Sequence, residues 1–222
     1  MRAFLLCLVI PLSGCVGAAL LATGVAPVLF AGYSVYEFEN IENARYDVNR
    51  VAPDPDALVE IRAAQTIAYF PSNRVGDGVA VDGLRERSTY RVISSRETLA
   101  YVEARQIWHD RVLSYPEADR AEEMRLFGQA MGVDLVIFAD LSPPQSNPNV
   151  FLPGRSTLSY RISFRIYSGP TGTLLLDERH VATFDVSDQH GPEDLARLFA
   201  YGAADRLQEL TTGETRFAGT TE

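Results

Sequence analysis

Two periods of hydrophobic alternation run along this chain, and each stretch where one of them holds reads as an element. "QTIAYFPSN" (65–73) is a short apolar run stopped by Pro71 and polar residues, the pattern of a buried strand. "RVGDGVAVDGLRERS" (74–88) reads as a loop with room for a helical turn, and "TYRVIS" (89–94) as a second strand. Ser94 stands three residues before Glu97, a capping box that opens a helix from Ser95 to about Leu113. Its inward positions are Leu99, Val102, Ile107 and Val112, with Trp108 beside them. Pro116 and the acids Glu117 and Asp119 open the next helix; Ala121, Met124, Phe127, Gly128 and Met131 fall at helical spacing, and Gly132 suits its C-terminal cap.

The second half changes period. "VDLVIFADL" (133–141) is a central strand, and "SPPQSNPNVFLPG" (142–154) is a proline-rich loop expected to have no structure of its own. In "LSYRISFRIYS" (158–168), Leu158, Tyr160, Ile162, Phe164 and Ile166 share one face and Ser159, Arg161, Ser163 and Arg165 the other, as in an antiparallel strand with one wet face. "GPTG" (169–172) turns the chain and "TLLLDERHVATFDV" (173–186) returns. Pro192, Glu193 and Asp194 open a last helix with Leu195, Leu198, Phe199, Gly202, Ala203, Leu207 and Leu210 on its apolar side. The expected fold is α/β, an α+β sandwich: one mixed sheet of about five strands with helices packed on it, over residues 65–212.

The start of the chain follows neither period. Arg2 precedes an apolar run from Ala3 to Pro11, too short to cross a membrane but long enough for a signal peptide. "LSGC" (12–15) then resembles the bacterial lipobox at all four positions. That resemblance implies cleavage between Gly14 and Cys15 and a covalent diacylglycerol and N-acyl lipid on Cys15. No charge occurs between Arg2 and Glu37, so residues 15–36 read as a lipidated, apolar, membrane-associated arm. Residues 37–64 read as a polar tether and 213–222 as a flexible tail.

The net charge of -9 and pI near 4.9 argue against nucleic acid as a partner. With Cys7 lost in the signal and Cys15 lipidated, no disulfide or cysteine metal site is expected. All 20 basic residues are arginine, so lysine chemistry is excluded.

"TIAYFPSN", "YRVISSRETL", "FGQAMGVDLVIFADL" and "YRISFRIYSGPTGTLLLDERH", in that order, resemble the periplasmic α/β domain shared by the TolB amino-terminal domain, the penicillin-binding-protein activator LpoB and the curli secretion lipoprotein CsgG. Met131 to Asp134 and Thr171-Gly172 occupy the family's helix-to-strand and hairpin positions. The chain departs from that pattern between Asn73 and Tyr90, where the family's full helix is expected to be short or missing. The resemblance implies a lipid-anchored accessory protein of the cell envelope, on the periplasmic face of the outer membrane, binding another envelope protein or itself. The alternative is a subunit of an oligomeric secretion or export assembly.

Catalytic patterns are not apparent. His109, His180 and His190 lack zinc-site spacing and are expected at the surface or in caps. There is no Gly-x-Ser-x-Gly elbow, no P-loop, and no local pairing of carboxylates for acid–base work. No enzyme activity, cofactor or metal is expected. The candidate binding residues are Arg161 and Arg165, which could read a partner carboxylate, and Phe151 on the proline-rich loop.

Overall fold

A mixed eight-stranded sheet organises the structure, a computed structural model that describes residues 33–37, 44–72, 76–148, 156–185 and 191–213. In chain order the strands are β1 (Tyr33–Glu37), β2 (Ala44–Asn49), β3 (Thr66–Tyr69), β4 (Arg91–Val92), β5 (Leu135–Leu141), β6 (Gln145–Pro148), β7 (Ser156–Ser168) and β8 (Leu174–Asp185). The helices are α1 (Pro55–Ala63), α2 (Asp77–Arg87), α3 (Ser95–Arg105), α4 (His109–Leu113), α5 (Glu117–Met131) and α6 (Pro192–Thr212). Across the sheet the order is β1-β2-β8-β7-β5-β3-β4, with β6 paired to the start of β7. β3 lies parallel to β4 and β5, and every other pairing is antiparallel.

The parallel strands read as apolar runs because both of their faces are covered. In β3 and β5, Ile67, Tyr69, Leu135 and Ile137 face α1, α2 and α6, while Ala68, Val136 and Phe138 face α3, α4 and α5. β7 and β8 alternate where only one of their faces is packed; at their turn end Tyr167 and Leu174 pack on the other side, against the core of α5. Ile162, Phe164, Ile166, Ala182 and Phe184 lie under α6, and Arg161, Asp177 and Arg179 are exposed on the other side.

The helices approach closely where side chains are absent. A Cβ at Gly83 in α2 would lie 2.8 Å from the Ala200 Cβ in α6. A Cβ at Gly128 in α5 would lie 2.4 Å from the Gly169 Cα in the β7–β8 turn.

The fold class is as expected, with more strands than the five anticipated. Four local expectations need correction. The residues read as a tether supply β2 and α1, with Tyr46, Val48 and Ile61 buried in the main core. The segment between β3 and β4 holds an 11-residue helix, α2, whose Ala80, Val81 and Leu84 are buried; its two glycines disguise it in sequence, yet Gly83 is what lets it pack on α6. The proline-rich loop contributes β6, paired with Ser156 to Ser159. The expected helix 95–113 is two helices, broken at Gln106 with φ 55°. Val102 and Ile107 are five residues apart, about 140° around a helix, so one straight helix would not bury both. The break turns Ile107 and Val112 into the core that Val102 already occupies.

Candidate functional site

Arg161 and Arg165 both lie on the face of β7 opposite α6, as their alternation requires, with Arg161 exposed and Arg165 half-buried. Arg165 is already engaged: its guanidinium donates to Asp177 on the neighbouring strand at 3.1 Å. Arg161 is exposed, and among the described residues its side chain forms no ion pair. Around it the face is polar and mixed in sign, with Arg45 bonded to Asp47 at 2.7 Å on β2 and Arg179 exposed on β8. The third expected binding residue, Phe151, lies outside the described residues, as do Gly14, Cys15 and the expected arm up to residue 32; its last four residues, 33–36, belong instead to β1.

A cleft of about 540 Å³ opens at the carboxyl ends of β3 and β5. Chain connections leave these two strands in different directions, and such a divergence creates a crevice in an open α/β sheet. Tyr69, Leu141, Tyr160, Leu195 and Phe199 supply apolar wall, and the first residues of α2 and α6 close two sides. Among the described residues Asp77 is the one ionisable lining side chain besides the tyrosines; its Oδ1 accepts from the Ser72 hydroxyl at 2.6 Å and the Ser72 amide at 3.2 Å. The arrangement suits a small, largely apolar group, and Asp77 serves first to order the turn before α2.

The most concentrated chemistry is elsewhere, buried beneath α6. β8 places Glu178 and His180 on its core face, in the same parity as Ala182 and Phe184. β2 brings Tyr46, and α6 brings Arg206 and Glu209 from one side of the helix. The Tyr46 hydroxyl lies 2.7 Å from His180 Nδ1, and His180 Nε2 lies 3.1 Å from Glu178 Oε2. Glu178 cannot donate when ionised, so a neutral imidazole carries its proton on Nε2 and accepts from Tyr46 at Nδ1. Arg206 donates to Glu178 Oε1 at 2.6 Å and to Glu209 Oε2 at 3.2 Å. Arg50, just after β2, donates to Glu209 Oε1 at 2.6 Å, and the Val51 amide donates to Glu178 at 2.9 Å.

Two carboxylates and two guanidiniums cancel in this cluster, which is how buried charges are tolerated. Burial raises the Glu178 carboxyl, but hydrogen bonds and charge from His180 and Arg206 outweigh it and hold the carboxyl below its ordinary value. Burial drives the His180 imidazole down, against the pull of Glu178. His180 and Glu178 are at most 1% exposed, so no substrate reaches them as the chain is folded here.

The histidine expectation is therefore corrected. His180 and His109 are both buried; His109 stacks on Phe138 at 4.6 Å and its Nε2 lies 2.8 Å from the Ala139 carbonyl. His190 lies outside the described residues. The fold also joins carboxylates that have no local pairing in sequence: Glu178 and Glu209 share Arg206. Strand parity carried the signal for His180 and Glu178, and helical spacing from Phe199, Gly202 and Ala203 carried it for Arg206.

Among the described residues no group of acidic, histidine or cysteine side chains could hold a metal ion, and no helix is long and apolar enough to cross a membrane.

No known protein family and no curated protein matches the chain. Among solved structures it is similar to lipoprotein GNA1162 from Neisseria meningitidis, at 13% identity and a TM-score of 0.42, over 65% of this chain and 99% of that one. It is also similar to the PelC dodecamer from Paraburkholderia phytofirmans, at 11% identity and a TM-score of 0.33, over 65% of this chain and 87% of that one. At these identities nothing of either protein's chemistry carries over to this chain.

Proposed function

We propose that this protein is a lipid-anchored accessory protein of the bacterial cell envelope that acts by binding another envelope protein or a second copy of itself, without catalysis. The observation that carries the reading is "LSGC", with Cys15 placed after a signal-length apolar run. The uncharged residues that follow would add a second attachment to the lipid, and stable anchoring needs two such signals. The anchored surface is the outer membrane, on its periplasmic side.

The architecture supports a binding role. β1 is an outer strand of the sheet, and its first residue, Tyr33, pairs with Asn49 at the end of β2 away from the cleft. The chain thus enters β1 at the end of the sheet away from the cleft. Polar, mixed-charge faces give specificity through complementary charge more than through buried apolar area.

Extraction in mild detergent followed by a mass measurement tests this reading. A monomer or dimer, or a discrete complex lost on Arg161→Glu, supports it. A large closed ring would instead make the protein a subunit of an export assembly.

A further inference from the structure

The buried cluster lies where the N-terminal strands join the rest of the domain. β2 bonds to β8 along its length, with Ala44 opposite Phe184 and Asn49 opposite Arg179. β1 bonds to β2 on the other side. Beyond these ladders and the apolar packing of Tyr46 and Val48, a connected set of polar side chains joins β2 and Arg50 to β8 and α6, Tyr46 to His180 and Arg50 to Glu209. Those side chains are buried or nearly so, and their charges balance only while His180 is neutral.

We propose that this cluster is an acid-sensitive clasp: protonation of His180 releases β1 and β2 from β8 and α6 while the remainder of the domain stays folded. A proton on His180 Nδ1 converts an acceptor into a donor facing the Tyr46 hydroxyl, so that hydroxyl loses the partner to which it donates. It also adds an uncompensated positive charge to a site where Arg50 and Arg206 already balance Glu178 and Glu209. The groups facing His180 are Glu178 on its own strand, Tyr46 from β2, and Arg206 with Glu209 from α6; β7 offers only the apolar Phe164 and Ile162. The imidazole is depressed by burial, so stability is whole above the unfolded value of about 6.5 and is lost as pH falls below it toward the folded value.

The consequence rests on the reading of Cys15 as the anchor; the release itself does not. Freeing residues 33–52 would add twenty residues to the span between anchor and domain, up to about 65 Å of reach at roughly 3.3 Å per residue.

Amide hydrogen exchange of the mature chain in detergent, at pH 7.5 and at pH 5 and corrected for the intrinsic rate, tests the clasp. The expected result is a rise of roughly tenfold or more in exchange over 44–51 at pH 5, with β3, β5 and α5 still protected. In His180→Gln the exchange over 44–51 should be independent of pH. Unchanged protection at pH 5, loss of protection everywhere at once, or the same pH response in His180→Gln would each overturn the proposal. Should the glutamine variant not fold, the His180 ring titration followed by NMR in the unaltered protein decides. It must coincide with deprotection of 44–51, and a mismatch overturns the clasp.

Discussion

The ring of Tyr46 fills the space that a side chain at position 202 would need: a Cβ on Gly202 would fall 2.2 Å from the Tyr46 Cε1. β2 is thus seated in a notch of α6, with the Tyr46 hydroxyl on His180. Overpacking a core costs about 1–3 kcal/mol. The helix-propensity gain of up to about 1 kcal/mol for alanine does not offset it. Gly202→Ala is expected to lose roughly 1–2 kcal/mol net, read as a melting temperature lower by several degrees. An unchanged or raised melting temperature would mean that Tyr46 does not sit there.

Arg206 holds two buried carboxylates. Arg206→Leu leaves Glu178 buried without its charged partner, while Glu209 keeps Arg50, and breaking a buried pair from one side costs about 3–5 kcal/mol. Replacing Glu178 and Arg206 together by leucine should cost less than the sum of the single changes. Urea unfolding of the two single variants and the double variant checks this; strict additivity would show that the pair is not coupled.

Asp134 ties the end of α5 to the start of β3. Its Oδ2 accepts from the Gln65 amide, the Thr66 amide and the Thr66 hydroxyl at 2.8–2.9 Å. The Gln65 bond leads in holding its carboxyl below the ordinary value. A carboxyl depressed in the folded state contributes stability above the unfolded value of about 3.9, and the contribution is lost as pH falls through the folded value. Asp134→Asn should lower stability at pH 7 and flatten its acid dependence as pH falls below about 4. A denaturation series over that range gives the answer, and curves that stay parallel would contradict it.

Much of this fold was legible in the chain. The capping box on α3 has both of its reciprocal bonds, Gly132 closes α5 with φ 62°, and β7 alternates as its sequence alternates. These features are local, so a short window contains them. What the pattern concealed depends on partners far along the chain. α2 looks like a loop because of Gly78 and Gly83, yet Gly83 is explained only by Ala200, more than a hundred residues later. The buried cluster unites residues 46, 50, 178, 180, 206 and 209, and each alone resembles an ordinary surface polar residue. Parity places Glu178 and His180 inward, but only the fold supplies the charges that make their burial tolerable.

Gln106 offers a smaller test. It ends α3 in the left-handed region, where a side chain costs about 1–2 kcal/mol and glycine almost nothing. Gln106→Gly should raise stability by up to about 1 kcal/mol, and Gln106→Val should lower it. Calorimetry of the pair decides, and a loss on Gln106→Gly would mean that the glutamine side chain holds the break between α3 and α4.

The central claim is the anchor, and metabolic labelling tests it most directly. Cells expressing the full chain or Cys15→Ala are fed a labelled fatty acid, and precursor and mature masses are compared. The account predicts label and a shift to the mature mass only when Cys15 is present. Failure of the unaltered chain to label, or labelling that persists in Cys15→Ala, would contradict it.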